Sequence, residues 1–182
     1  MDHLYNLLPS AEDGVLPYYL LVARQTVQPS TTSPLHVSVA AIGNAVQNLL
    51  TLHFTRRIYN GLFVSNLSAN PDSVTKLEPV VSAATLKDKP TATDQVTPLA
   101  ARLFGVYTIL AGVIRVYGAY RVNDPALYQM CWFTHLLAAA HFMTEILVFK
   151  TVRVGWEHAF PLSAAFSGSI WMGLQYSHYV KA

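Results

Sequence analysis

Three long apolar runs, residues 99–120, 127–149 and 159–180, follow one another in this chain with only short polar connectors between them. Each is about 22 residues long, which at about 1.5 Å per residue is what a helix needs to cross a bilayer core of roughly 30 Å. Four ionisable side chains fall inside the runs: Arg102, Arg115, His141 and Glu145. Hydrocarbon tolerates such groups only where they snorkel, pair or face other helices. The pattern predicts an all-α fold, a polytopic membrane bundle with a polar interior.

Composition agrees. Charged residues are 12% of the chain and hydrophobic residues 52%, where an ordinary soluble domain carries about 25% charged residues. The 182 residues suffice for one domain. A net charge of +2 and the lack of a basic stripe interleaved with aromatics argue against nucleic-acid binding. The single cysteine, Cys131, lies inside an apolar run and reads as a small core or lipid-facing residue. The N-terminal sequence lacks the basic region and compact apolar core of a cleavable signal peptide, so insertion is expected to fall to the apolar segments themselves.

Residues 37–54 add a fourth stretch, mostly apolar and about 18 residues long, the minimum for a span, closed by Arg56 and Arg57. It contains Gly43, Asn44, Gln47 and Asn48. Helical spacing puts the three polar side chains on one face, as a seam between helices or a ligand contact. Four transmembrane helices in a small bundle are therefore expected, over about 37–54, 99–120, 127–149 and 159–180, within a membrane domain of residues 37–182. The remaining hydrophilic segment, 55–98, carries Pro71, Pro79, Pro90 and Pro98, many Ser and Thr residues and no sustained periodicity, and reads as a long polar loop. Within it Asn66-Leu67-Ser68 fits the glycosylation tripeptide, a weak match. Thr97-Pro98 and Asp124-Pro125 each place an N-cap residue before a proline at the first helical position.

The polar groups inside the runs have bland and sharp readings. Arg102 lies near the start of its run and can snorkel; Arg115 lies deeper and can snorkel or pair, with Glu145 as a candidate partner. His141 and Glu145 are four residues apart and share a helical face, as an interhelical tie, a proton relay or a metal half-site. A metal site needs three or four ligands, and His135, six residues before His141, falls on the opposite side of the helix. No metal or cofactor is expected. The chain contains no His-x-x-His-His cluster, Tyr-x-x-x-Lys pair, glycine-rich strand–turn–helix, Gly-x-Ser-x-Gly elbow or Walker lysine loop, so none of the familiar enzyme chemistries is equipped. Small residues recur at spacings that suit close helix contact: Gly105, Gly112 and Ala119 in one run, Ala164 with Gly168 and Ser169 with Gly173 in the last.

The stretch Ala101-Arg102-Leu103-Phe104-Gly105-Val106-Tyr107-Thr108, with Arg115 downstream, resembles the ergosterol biosynthetic protein 28 family. So do Asn123 with Leu127-Tyr128, His141-Phe142-Met143-Thr144-Glu145, and Gly43-Asn44 with Gln47. Thr55-Arg56-Arg57 before a long loop resembles the fungal branch. The resemblance implies a multi-pass endoplasmic-reticulum protein of four spans, without catalytic activity or cofactor, that tethers the enzymes of sterol 4-demethylation. Its implied partners are the sterol 4-methyl oxidase, the 3-hydroxysteroid dehydrogenase/decarboxylase and the 3-ketosteroid reductase, with the sterol C-24 methyltransferase in fungi. Gly43, Asn44, Gln47, Arg102, Gly105, Arg115, His141, Glu145, Gly168 and Gly173 are then structural or interaction residues. A reading from another class is a small transporter or lipid-binding membrane protein in which Arg115, His141 and Glu145 line a bundle cavity.

One departure from the family pattern stands in the N-terminal segment 1–36. Residues 22–36 are polar and proline-bearing and separate two apolar pieces that would otherwise join into one run, so they read as a linker-like insertion. The basic residues are also unevenly placed. With four spans, Arg24, Arg121 and Lys181 share one side, and Arg56, Arg57, Lys76, Lys87, Lys89, Lys150 and Arg153 share the other. The positive-inside rule puts the long loop in the cytosol.

Overall fold

Two helix starts in this chain are written in its capping residues, and the structure, a computed structural model that describes residues 45–73, 76–80 and 91–180, follows them. Thr97 accepts a hydrogen bond from the Ala100 amide at 3.1 Å, and helix α2 (Pro98–Tyr120) begins at the proline. Asp124 caps α3 (Pro125–Leu147) in the same way, accepting from the Leu127 amide at 3.0 Å. A 3-10 turn over Trp156–His158 leads into α4 (Ala159–Tyr179). These three helices occupy the three long apolar runs. α3 stops at Leu147, slightly before the apolar run does, and Lys150 then takes the left-handed backbone conformation (φ 56°) that turns the chain out of the helix.

The first apolar stretch is less regular than a single span. Residues 45–50 are helical, the helix is broken at 51–52, and it resumes as α1 (His53–Ile58). Arg56 and Arg57 thus lie within a helix and do not end one. Asn48 is buried and accepts a hydrogen bond from Thr55 Oγ1 at 3.2 Å, whereas Gln47 is exposed. Adjacent helical residues point about 100° apart, so the expected polar face is divided here. Gly43, Asn44 and the segment 22–36 lie outside the described residues.

The long polar segment is more than a loop. β1 (Phe63–Ser65) pairs antiparallel with β2 (Leu77–Pro79), in the register Phe63 with Pro79, Val64 with Glu78 and Ser65 with Leu77. Phe63 also exchanges both backbone hydrogen bonds with Thr93. The fold is therefore mostly helical, as expected, with a small two-stranded sheet in the segment read as a loop. Strands of three residues are too short for a period of two to stand out.

α3 is the central helix. Towards α4, Tyr128 donates its hydroxyl to the Met172 carbonyl at 2.7 Å and Trp132 its indole N–H to the Ser169 carbonyl at 2.8 Å. Towards α2, Arg115 Nε donates to Thr134 Oγ1 at 3.0 Å. Near the α2–α3 connector a buried cluster forms from Ala119, Val122, Tyr128, Cys131, Met172 and Tyr179. At the other end the chain around Gly61 is laced to the segment after α3. The Gly61 amide donates to the Thr151 carbonyl at 2.8 Å, and a Cβ at Gly61 would overlap the backbone of Lys150 and Thr151. Asn60 both accepts from the Arg153 amide at 2.7 Å and donates to its carbonyl at 3.1 Å. His158, fully buried, accepts from the Gly155 amide through Nδ1, which leaves Nε2 as the protonated nitrogen that donates to the Ile58 carbonyl at 2.7 Å.

Burial along α2 is inverted relative to a soluble protein. Its buried residues are Ala101, Gly105, Ala111, Gly118 and Ala119. Leu99, Leu103, Val106, Leu110, Val113 and Tyr117, at the three- and four-residue steps of one helical face, point outward, with Leu103 62% and Tyr117 63% exposed. Among the described residues α2 alone is long and apolar enough, by length and composition, to cross a membrane. α3 and α4 have 23 and 21 residues. Gln129, Thr134, His135, His141 and Glu145 on α3, and Ser163, Ser167, Ser169, Gln175 and His178 on α4, lower their apolar character.

Candidate functional site

A cavity of about 510 Å³ opens between the chain around residues 55–63 and the facing sides of α2 and α3. Its wall is mostly apolar, formed by Phe63, Val96 and Phe104, with the largely exposed Leu103 and Leu137 at its open rim. The polar groups Tyr59, Tyr107, His141, Glu145 and Thr151 also line it. Tyr59 reaches the site because it follows directly on the last turn of α1, where its ring packs edge-on against Phe104 with centroids 5.4 Å apart.

Four of these groups form a chain of contacts. Tyr59 Oη lies 2.7 Å from His141 Nε2. His141 Nδ1 faces Glu145 Oε1 at 3.7 Å, an ion-pair separation beyond hydrogen-bond reach. The other carboxylate oxygen of Glu145 accepts a hydrogen bond from the Thr151 hydroxyl. Burial, reinforced by the charge of Glu145 and by Tyr107, pushes the Tyr59 phenol above its ordinary pKa. The protonated Tyr59 hydroxyl and His141 Nε2 share this hydrogen bond, and the imidazole tautomer sets which of the two donates. The Tyr107 hydroxyl is buried and has no hydrogen-bond partner. The arrangement can hold a proton donor and an acceptor at fixed positions beside an apolar space. Among the described residues no group of three His, Cys, Asp or Glu side chains could hold a metal ion.

The structure brings together only part of the set singled out from sequence. His141 and Glu145 meet in the cavity wall. Arg115 is half-buried against Thr134. Arg102 is exposed at the start of α2. Gly105 is a close approach to the helical segment 45–50, where an added Cβ would lie 3.2 Å from Leu49 and 3.3 Å from the Ala45 carbonyl. Gly168 accommodates the His135 ring and Gly173 the Trp132 ring, so both admit α3 side chains into α4. Tyr59, Tyr107, Thr151 and His158 had no signal of their own. Asn60-Gly61 did, since that dipeptide marks a turn.

The sequence model of a family described as Erg28 like protein matches residues 33–170. The chain belongs to the Erg28 family. It is 39% identical over 184 residues to ergosterol biosynthetic protein 28 of Gibberella zeae, with 100% of this chain and 99% of the relative covered. The protein of the same name from Candida albicans is 29% identical over 181 residues, again with 100% and 99% coverage. A human ergosterol biosynthetic protein 28 homolog is 36% identical over 83 residues, 44% of this chain and 59% of the relative. No solved structure matches. The Erg28 match takes in the whole cavity wall, from Thr55 to Thr151, and stops within α4 before Gly173.

Proposed function

We propose that this chain is a non-catalytic, multi-pass scaffold of the endoplasmic-reticulum membrane that acts in ergosterol biosynthesis by tethering the sterol 4-demethylation enzymes. The observation that carries the reading is the inverted burial of α2. A helix that turns Gly and Ala inward and a continuous stripe of Leu, Val and Tyr outward is built to be covered by lipid or by another membrane helix. Membership of a family whose curated members are named for ergosterol biosynthesis supplies the pathway.

In this reading α2, α3 and α4 and the stretch before Arg56 are the four spans, and residues 37–182 are one membrane domain. The polar side chains of α3 are tolerated because they point at neighbours: His141 at Tyr59, Thr134 at Arg115. The scaffold works by proximity. Holding consecutive enzymes side by side raises the local concentration at which an apolar intermediate meets the next active site. The partners are the sterol 4-methyl oxidase, the 3-hydroxysteroid dehydrogenase/decarboxylase, the 3-ketosteroid reductase and the sterol C-24 methyltransferase. Contact surfaces are the outer face of α2 and the exposed residues Ile170 and Leu174 of α4.

The test is capture of the tagged full chain from fungal microsomes in mild detergent, followed by quantitative mass spectrometry. Enrichment of the four enzymes over an unrelated tagged membrane protein supports the tether. Equal recovery of all four with the control overturns it.

A further inference from the structure

We propose that the cavity between the 55–63 chain, α2 and α3 binds a neutral, largely apolar molecule by a single terminal hydroxyl group, with the Tyr107 hydroxyl as the donor. The volume, about 510 Å³, falls within the roughly 300–1,000 Å³ of small-molecule pockets. The wall has the composition such a ligand needs, since Phe63, Phe104 and Val96, with the exposed Leu103 and Leu137 at the open rim, make most of its surface apolar. Buried hydroxyls nearly always have partners, and that of Tyr107 has none. A ligand oxygen in the cavity would provide one.

Charge narrows the ligand class. Among the described residues lining the cavity there is no lysine or arginine, and Glu145 stands in the wall. A carboxylate or phosphate group would meet an acidic side chain with no cation among the lining residues to pair with, since Arg115 acts on Tyr107 only from outside the lining. A hydroxyl meets no such conflict. It can accept from Tyr107 and donate to Tyr59 Oη, which keeps a lone pair beside its bond to His141. The second hydrogen bond separates an alcohol from a ketone, which can only accept.

This inference goes beyond the tether. The choice of a sterol as probe rests on that reading; the chemistry of the cavity does not. The full chain in nanodiscs is titrated with the fluorescent sterol dehydroergosterol, and binding is read by energy transfer from the protein's three tryptophans. Saturable binding is expected. Tyr107→Phe should weaken it about 3- to 10-fold, the worth of one net hydrogen bond. Its melting temperature should not fall, because the hydroxyl removed has no partner within the protein. Ala100→Phe should abolish binding by filling the space. The 3-acetate ester should compete poorly and oleate not at all. Displacement by farnesol as well extends the class to linear lipid alcohols, and displacement by sterols alone restricts it to ring systems. Unchanged affinity in Tyr107→Phe and Ala100→Phe, or displacement by oleate as effective as by the sterol, overturns the assignment. Enzyme capture by the Tyr107→Phe chain is measured in parallel, so that loss of the ligand and loss of the tether are read separately.

Discussion

Tyr59 and His141 are separated by 82 positions in the sequence and by 2.7 Å in space, and their hydrogen bond fastens the end of α1 to the C-terminal part of α3. The bond depends on a protonated phenol, and burial holds that proton on. Tyr59→Phe should therefore lower stability by about 1–2 kcal/mol, since it leaves the His141 nitrogen without its hydrogen-bond partner. The sign of the pH dependence follows from the raised pKa. Below the ordinary tyrosine value of about 10 the phenol is protonated folded or unfolded, and the contribution is complete. Above it the unfolded chain loses the proton first, and stability falls. Thermal unfolding in detergent should show the wild type declining more steeply above about pH 10 than Tyr59→Phe.

Glu145 joins α3 to the strand of chain that follows it, through Thr151, and to Tyr59 through His141. Glu145→Leu removes the acceptor of the Thr151 hydroxyl, which sits in a site only 9% exposed. A stability loss of about 1–3 kcal/mol is expected from the unsatisfied hydroxyl, read as reduced steady-state abundance in microsomes. Glu145→Gln retains an acceptor and should retain most of the abundance. A Glu145→Leu chain that inserts, stays abundant and captures every partner would remove this residue from the set that holds the bundle together.

The glycines of the helices divide sharply by what faces them. A Cβ at Gly168 would overlap the His135 ring, and one at Gly118 the Cys131 sulfur, whereas a Cβ at Gly112 would meet nothing within 4 Å. Gly168→Ala and Gly118→Ala should each cost about 1–3 kcal/mol through overpacking. Gly112→Ala should be neutral or stabilising by up to about 1 kcal/mol, because alanine is the better helix former. Gly173→Ala, with Trp132 at 3.1 Å, should fall between them. Melting temperatures of the four variants in one detergent test the order.

The same glycines mark how far the sequence could be read. The three long helices were legible because apolar length and two cap-plus-proline signals, Thr97-Pro98 and Asp124-Pro125, coincide. His141 and Glu145 were legible as a pair because four residues return to one helical face. Their partners were not. Tyr59 and Thr151 come from segments whose approach depends on Asn60, Gly61 and Arg153 meeting across the fold, and nothing local encodes that meeting. Spacing suggested the small residues without saying which ones a neighbour fills. Gly112 and Gly168 look alike in sequence and differ only in that His135 packs against the second. The hairpin of β1 and β2 was hidden by its length, and the break at 51–52 by an apolar stretch that runs through it.

Among the described residues Arg56, Arg57, Lys150 and Arg153 gather at one end of the molecule, and this predicts its orientation. The hydrogen bond from Gly61 to Thr151 and the double bond between Asn60 and Arg153 bring the chain after α1 together with the chain after α3. Arg56, Arg57, Lys150 and Arg153 thus lie at the end opposite the α2–α3 connector, which carries Arg121. Short loops rich in Lys and Arg stay in the cytosol, so the end bearing the β1–β2 hairpin should be cytosolic. Asn66, whose side chain accepts a hydrogen bond from the Ser68 amide in that hairpin, would then never meet the glycosylation machinery of the lumen. Endoglycosidase treatment of microsomal protein should leave its electrophoretic mobility unchanged. A glycosylation tripeptide fused after Ala182 should be modified, since the proposed four-span topology puts that residue on the lumenal side. Modification of Asn66 together with an unmodified C-terminal tag would invert the assignment, placing the cavity's polar groups near the lumenal leaflet.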